Sequence, residues 1–143
     1  MPDLTLDTAQ TILSVALKSA REKDMKPLAV AVYDARGALR AFAAEDGTSL
    51  RRAQIAMGKA EGALAMGLGS RALYKRAADQ PYFIAAVTHA VGGRLIPVPG
   101  GVLIRDAGGA LVGAIGISGD TSDNDEAAAV AGIEAAGLKA ETG

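Results

Sequence analysis

The sequence has no cysteine and no tryptophan, and its single histidine is His89. Without cysteine, the chain has no disulfide, no thiolate metal site and no cysteine nucleophile. Its aromatic residues are three tyrosines and two phenylalanines, so the core has to be built mainly from alanine, valine, leucine and isoleucine. We predict no metal site.

A charge excess and a long apolar run are also missing. Fifteen basic residues stand against 16 acidic ones, giving a net charge of −1, and no basic stripe predicts nucleic-acid binding. No segment has the roughly 18 uninterrupted apolar residues of a membrane helix. The N-terminus lacks a basic region followed by an apolar run, as a signal peptide would have. We therefore expect no membrane partner, and we predict a cytoplasmic, soluble protein.

The chain is rich in small and apolar residues. Half of its 143 residues are hydrophobic and 18 are glycine. This length is typical of one domain that buries its own core, and we predict a single domain over residues 1–143. Abundant alanine and glycine let helices, strands and subunits approach closely, which favours a homo-oligomer.

Apolar periodicity predicts helices and one hairpin in the first two thirds of the chain. The first helix begins at Thr5 or Asp7 and ends near Lys23. The remaining predicted elements are strands Leu28–Asp34 and Ala38–Ala44, a helix over 49–66, a short helix from Ser70, and a helix from Gln80-Pro81 to His89 that Gly92-Gly93 ends.

The last third predicts three strands and a helix. The strands are Arg94–Val98, Val102–Asp106 and Ala110–Ser118, and the helix has Asp123 as its N-cap and ends near Leu138. We expect the tail after Leu138 to be disordered. Since the strands fall in hairpins and not in βαβ units, the class is α+β with a mainly antiparallel five-stranded sheet flanked by helices.

Several segments are similar to one known family. PVPGGVLIRD, GALVGAIGISG and AAAVAGIEA in the C-terminal half, and LTLDTAQTIL, AVYDARGALRAFAAEDG and GKAEGAL in the N-terminal half, resemble the GlcG/HbpS-like family, which includes the C-terminal domain of PduO. The resemblance runs from about Leu4 to Leu138. It implies a profilin-like α-β-α layered fold, dimers or larger even-numbered assemblies, and haem or another tetrapyrrole as ligand; some members are described as haem-degrading.

The sequence departs from the family at two places. Members that bind haem have an axial histidine in the N-terminal half, where this chain has none. Many members carry an Arg-Met pair before Asp-Gly at the end of the second strand, and that place here reads Ala43-Ala44-Glu45-Asp46-Gly47. The extra carboxylate changes the local chemistry.

Acidic and basic side chains around the second strand form the first candidate site. Glu45 and Asp46 end the strand, and paired carboxylates serve as general acid and base. Lys59 would orient a substrate carboxylate, and Arg51 and Arg52 would add an anion clamp. The alternative is a solvated turn with surface ion pairs, since turns collect acidic residues for backbone reasons.

Two further candidates involve Lys59 and a glycine turn. Lys59 lies among small apolar residues, so its side chain either reaches solvent or lines a pocket. Gly100 and Gly101 follow Pro99, and their amides would face a ligand as anion-binding nests do. The alternative is a hairpin turn that needs positive φ angles.

The remaining candidates are His89 and Arg94. His89 is a candidate haem ligand, a base or a structural histidine, and Arg94 is a candidate for holding an anionic substrate. The leading hypothesis is a small-ligand-binding oligomer whose pocket lies between the Glu45–Gly47 turn, the Lys59 helix and the Pro99–Gly101 turn, with haem as the cofactor that the resemblance implies. The alternatives are an enzyme that performs acid–base chemistry on a small anionic metabolite, and an accessory protein without a ligand.

Overall fold

A five-stranded sheet covered by helices on both faces makes up the part of the chain that the computed structural model describes, residues 3–143. The helices are α1 Leu6–Glu22, α2 Arg52–Met66, α3 Ser70–Asp79, α4 Pro81–Ala90 and α5 Ser122–Ala135. The strands are β1 Ala29–Asp34, β2 Leu39–Ala44, β3 Gly101–Arg105, β4 Leu111–Ser118 and β5 Lys139–Glu141.

The strand order is β2-β1-β4-β3-β5, and every neighbouring pair is antiparallel. β1 is buried along its whole length, because its side chains alternate between two apolar layers. Val30 and Val32 pack in a core with Ile12 of α1 and Ile133 of α5. Ala31 and its neighbours on the other face pack against alanines of α2. The α+β class and the antiparallel five-stranded sheet predicted from the sequence are confirmed.

Close contact between α2 and the sheet depends on small residues. Gly116 of β4 lies directly under α2, and a side chain there would collide with the carbonyl oxygen of Ala56. The helix therefore rests on the strand backbone, as the abundance of alanine and glycine predicts.

The predicted strand Arg94–Val98 is wrong. These residues form no strand and instead run along α2. Pro97 and Pro99 lack the N–H groups that a sheet ladder uses, and Leu95 is buried against α2. The residues between α4 and β3 therefore form a wall over this helix.

The prediction of a disordered tail is also wrong. After α5 the chain turns and forms β5, which pairs with β3, Ile104 lying opposite Ala140. Arg105 binds Glu141 at 2.7 Å and holds this short edge strand in place. β5 therefore supplies the fifth strand that Arg94–Val98 does not.

Helix starts were predicted with mixed success. Thr5 caps α1, as expected, and accepts the N–H of Thr8. Thr121, not Asp123, caps α5, since its hydroxyl accepts the N–H of Asn124 at 3.2 Å and Asp123 lies inside the first turn. Within residues 3–143, none of the helices has both the length and the apolar composition that crossing a membrane requires.

Candidate functional site

A cleft of about 430 Å³ lies between one side of α2 and the segment 92–96 that follows α4. We call it the α2 cleft. Its volume falls in the range of small-molecule sites. It is lined by Arg51, Gln54, Ile55, Met57, Gly58, Glu61, Gly92, Gly93, Arg94 and Ile96.

Two glycines start the far wall of the α2 cleft. Gly92 and Gly93 have φ angles of 76° and 84°, which favour glycine. The N–H of Gly92 bonds to the carbonyl of His89, and that of Gly93 bonds to the carbonyl of Thr88 at 2.8 Å. This is the Schellman pattern that ends a helix. It ends α4, as predicted, and sends the chain back along α2.

Two glycines inside α2 let that wall approach. A Cβ at Gly58 would lie 2.6 Å from Cγ1 of Ile96, and one at Gly62 would lie 2.9 Å from Cα of Leu95. Each glycine inside a helix costs about 0.5–1 kcal/mol relative to alanine. Packing of the wall onto the helix offsets that cost and places Ile96 as an apolar side of the cleft.

Glu61, Arg94 and Tyr33 form a charged cluster at one end of the α2 cleft. Nη1 of Arg94 lies 3.0 Å from Oε2 of Glu61, and the Tyr33 hydroxyl donates to the same oxygen at 2.7 Å. Burial and the bond to Glu61 raise the pKa of Tyr33, so its phenol stays neutral and keeps donating. Glu61 thus has two partners: a hydrogen bond from Tyr33 fixes its carboxylate, and Arg94 forms an ion pair with it.

Arg51 lies at the other end of the α2 cleft, at the N-terminus of α2. Its side chain is exposed and makes none of the ion pairs found among residues 3–143. Ile55, Met57 and Ile96 supply apolar surface between the charged ends. Guanidinium groups pair with carboxylates in a two-bond geometry. The cleft therefore suits an organic anion with an apolar face.

Lys59 does not line the α2 cleft. Its side chain is 2 % exposed, and its ammonium donates to the carbonyl of Ile117 at 2.8 Å and to Oδ2 of Asp125 at 3.2 Å. Burial lowers the pKa of Lys59 and raises that of Asp125, and their mutual attraction opposes both shifts. The pair joins α2 to the start of α5 within the core.

The Pro99–Gly101 segment packs directly on Lys59. Gly100 has a φ of 122°, and a Cβ there would lie 2.8 Å from Nζ of Lys59. The N–H of Gly101 donates to Oγ of Ser70 at 2.7 Å, so this amide already has a partner. Pro99 lines a separate groove of about 270 Å³ beside Tyr74. The structure thus brings Lys59 and the glycine turn together, around a packed core.

Glu45 and Asp46 lie at another groove, with Arg21 and Pro27. Oε1 of Glu45 accepts the N–H of Leu28 at 2.8 Å, and its other oxygen lies 3.1 Å from Arg21. No ion pair within residues 3–143 joins either carboxylate to Lys59. The Glu45–Gly47 turn therefore lies apart from the other two segments of the predicted pocket, which are packed against each other. Proton transfer by Glu45 or Asp46 stays a prediction.

Arg52 and His89 complete the predicted set. Nη1 of Arg52 donates to Oγ of Ser118 at 3.1 Å, which ties α2 to the end of β4. His89 is exposed in the last turn of α4. Its carbonyl binds the N–H of Gly92, a cleft residue, but its imidazole does not line the α2 cleft.

Arg51 and Arg94 are the predicted residues that line the α2 cleft, and Gln54 and Glu61 are cleft residues that the sequence reasoning missed. A signal for the missed pair was available. Arg51, Gln54, Gly58 and Glu61 follow intervals of three, four and three residues, which places them on one helix face. The partner of Glu61 was not visible, because it lies 33 residues away on a segment predicted as a strand.

Three solved structures are similar to this chain. HbpS has 28% identity over 94% of this chain and 91% of its own, with a TM-score of 0.80. PduOC in complex with haem has 23% identity over 96% and 97%, with a TM-score of 0.85. The Klebsiella pneumoniae protein ORFY has 22% identity over 96% and 93%, with a TM-score of 0.84. Identities of 22–23% indicate a shared fold.

Sequence comparison places the chain in a family. No curated protein matches it. Residues 4–134 match the model of the family described as haem degrading protein HbpS-like. This match spans strands β1 to β4 and the whole α2 cleft. The protein belongs to the HbpS-like family, as its sequence motifs predict.

Proposed function

We propose that this protein binds a small carboxylate-bearing ligand of the haem-related tetrapyrrole class in the α2 cleft. The observation that carries the proposal is the pairing of Arg51 and Arg94 with an apolar surface in one cleft of about 430 Å³. Arginine forks bind carboxylates, and apolar walls with a few polar groups are typical of cofactor sites.

The family supports this ligand class. The matched family is described as haem degrading, and one similar structure is a haem complex. The α2 cleft lies within the matched residues 4–134. Both lines of support concern the class of ligand and not a particular porphyrin.

The lining residues fit the carboxylates and flat face of a porphyrin better than its iron. Haem iron is held in proteins by histidine, cysteine, methionine or tyrosine. Among the residues that line the α2 cleft, Met57 is the one member of that set. We therefore propose that binding depends on the macrocycle and its carboxylates. An axial role for His89 remains a prediction, since its imidazole lies outside the lining.

Titration with hemin and with iron-free protoporphyrin IX tests the proposal. We expect both to bind with dissociation constants within about tenfold of each other, because the iron adds little. Arg51→Gln/Arg94→Gln should weaken both, and His89→Ala should change neither. Binding of hemin alone, lost in His89→Ala, would show that iron ligation dominates. If the protein binds neither compound, the proposed ligand class is wrong.

Assembly and location stay predictions beside this proposal. We expect a dimer or a larger even-numbered oligomer, measured by light scattering of the purified protein. A cytoplasmic location is checked by fractionating cells. Catalysis is tested by incubating bound hemin with a reductant and following the porphyrin absorbance.

A further inference from the structure

Glu61 is held in the α2 cleft more firmly than the arginine it binds. Its carboxylate side chain is 21 % exposed, and that of Arg94 is 68 % exposed. Tyr33, which is 4 % exposed, donates to Oε2 of Glu61 at 2.7 Å. Glu61 therefore keeps a buried partner if Arg94 moves.

Arg94 has the opposite character. It lies on the wall segment between α4 and β3, outside any helix or strand. Among residues 3–143 its ion-pair partner is Glu61, with Nη1 3.2 Å from Oε1 and 3.0 Å from Oε2. Exposed ion pairs of this kind contribute little stability. Breaking the Arg94–Glu61 pair to form a pair with another carboxylate therefore costs little free energy.

We propose that Glu61 is a built-in competitor for the ligand carboxylate: Arg94 leaves Glu61 and pairs with the ligand when the ligand binds. This inference rests on the proposed function. Glu61 then determines specificity. A ligand with a carboxylate forms a new ion pair with Arg94 in place of the one with Glu61. A neutral ligand forms no such pair, so the Arg94–Glu61 pair stays intact and obstructs the cleft.

The charge of Glu61 also limits affinity. A ligand carboxylate that approaches Arg94 also approaches Glu61, and like charges at short range repel. Removing that charge while keeping the shape should therefore tighten binding. Removing the charge of Arg94 should reduce discrimination between charged and neutral ligands, and Arg51 should keep the rest of it.

Protoporphyrin IX and its dimethyl ester provide matched probes, one with two carboxylates and one with none. We expect the wild-type protein to bind the acid about tenfold more tightly than the ester. Glu61→Gln keeps an oxygen that accepts from Tyr33, and should bind the acid about two- to fivefold more tightly than wild type. Arg94→Gln should prefer the acid less than wild type does, with the remaining preference coming from Arg51.

Arg105→Gln is the control, because it removes an arginine from another ion pair with a glutamate, a partly buried one away from the α2 cleft. It should leave both affinities unchanged. Equal or weaker acid binding by Glu61→Gln, in a protein that unfolds at the wild-type temperature, overturns the competitor role. Failure of wild-type protein to bind either probe overturns the proposed ligand class, and the inference with it.

Discussion

Two ion pairs formed by residues of α2 differ sharply in burial, although their helix residues are only two positions apart. Lys59 and Asp125 have side chains that are 2 % and 1 % exposed, whereas Arg94 and Glu61 are 68 % and 21 % exposed. Two positions on an α-helix differ by about 200° in direction. One side chain therefore enters the core, and the other enters the α2 cleft.

The difference shows which pair can take part in binding. In the core, Lys59 also donates to Ile117, and Asp125 also accepts the N–H of Asp120 at 2.9 Å. Separating these two charges would leave one of them buried without its partner, which strongly destabilises the folded state. In the cleft, solvent can reach both groups, and a ligand carboxylate can replace Glu61 as the partner of Arg94. The buried pair is therefore fixed, and the cleft pair is exchangeable.

Substitution of one charge in each pair should give the largest contrast. Lys59→Met should lower the free energy of unfolding by about 3–5 kcal/mol, because Asp125 is left as a buried, unpaired carboxylate. Arg94→Gln should lower it by at most about 1 kcal/mol, as expected for an exposed pair. Urea unfolding of the three proteins at neutral pH measures both effects. Equal losses would show that the two pairs do not differ as their burial indicates.

The pH dependence of Lys59→Met checks the cause. Burial raises the pKa of Asp125 above its ordinary value of 3.8, and loss of the lysine removes an opposing attraction. A carboxyl with a raised folded-state pKa favours folding below the unfolded value and loses that contribution as pH rises through the folded value. The variant should therefore be nearer to wild type at about pH 4 than at pH 8. Lys59→Met/Asp125→Leu should recover most of the stability at both pH values.

Gly62→Ala tests the wall that separates the cleft from the core. The added methyl would lie 2.9 Å from the backbone of Leu95, so the whole wall has to shift. We expect a net loss of about 1–2 kcal/mol in unfolding free energy, despite the gain in helix propensity. Gly58→Ala is the matched variant, since its methyl meets the side chain of Ile96, which can rotate. A rise in melting temperature for Gly62→Ala would show that the wall does not press on the helix.

Tyr33→Phe tests a residue that belongs to both regions, with a buried ring and a hydroxyl bound to Glu61. We expect a loss of about 0.5–1.5 kcal/mol, because one hydrogen bond to a partly solvated carboxylate disappears. This should fall between the losses for Gly62→Ala and Arg94→Gln. Thermal unfolding ranks the three variants. A loss as large as that of Lys59→Met would mean that Glu61 belongs to the core.

Local patterns in the sequence predict most of the fold, but they predict the site incompletely. β1 follows from a continuous apolar run, and β2 follows from its place after Gly37, whose φ of 88° suits a tight turn. β5 has three residues and forms only because β3 lies beside it. The pairing of Glu61 with Arg94 depends on how segment 92–96 packs, and no periodicity encodes that packing. Small residues around Lys59 are typical of a pocket wall, but they are equally typical of a helix that packs tightly on a sheet. The sequence alone does not distinguish these two arrangements.

The smallest effect should come from the carboxylate of Asp120, because its hydrogen bonds are exposed and solvent screens its charge. Its carboxylate accepts the N–H groups of Lys26 and Thr121 and the amide of Asn124, each at 2.8 Å. These bonds, that from Lys26 first, lower its pKa from 3.8 to about 2. A lowered folded-state pKa gives stability that is present above the unfolded pKa and is lost as pH falls through the folded one. Asp120→Asn should therefore be less stable than wild type at neutral pH, and the gap should close between about pH 4 and pH 2. A gap in urea midpoints that stays constant over this range would show that Asp120 acts through its shape and not through its charge.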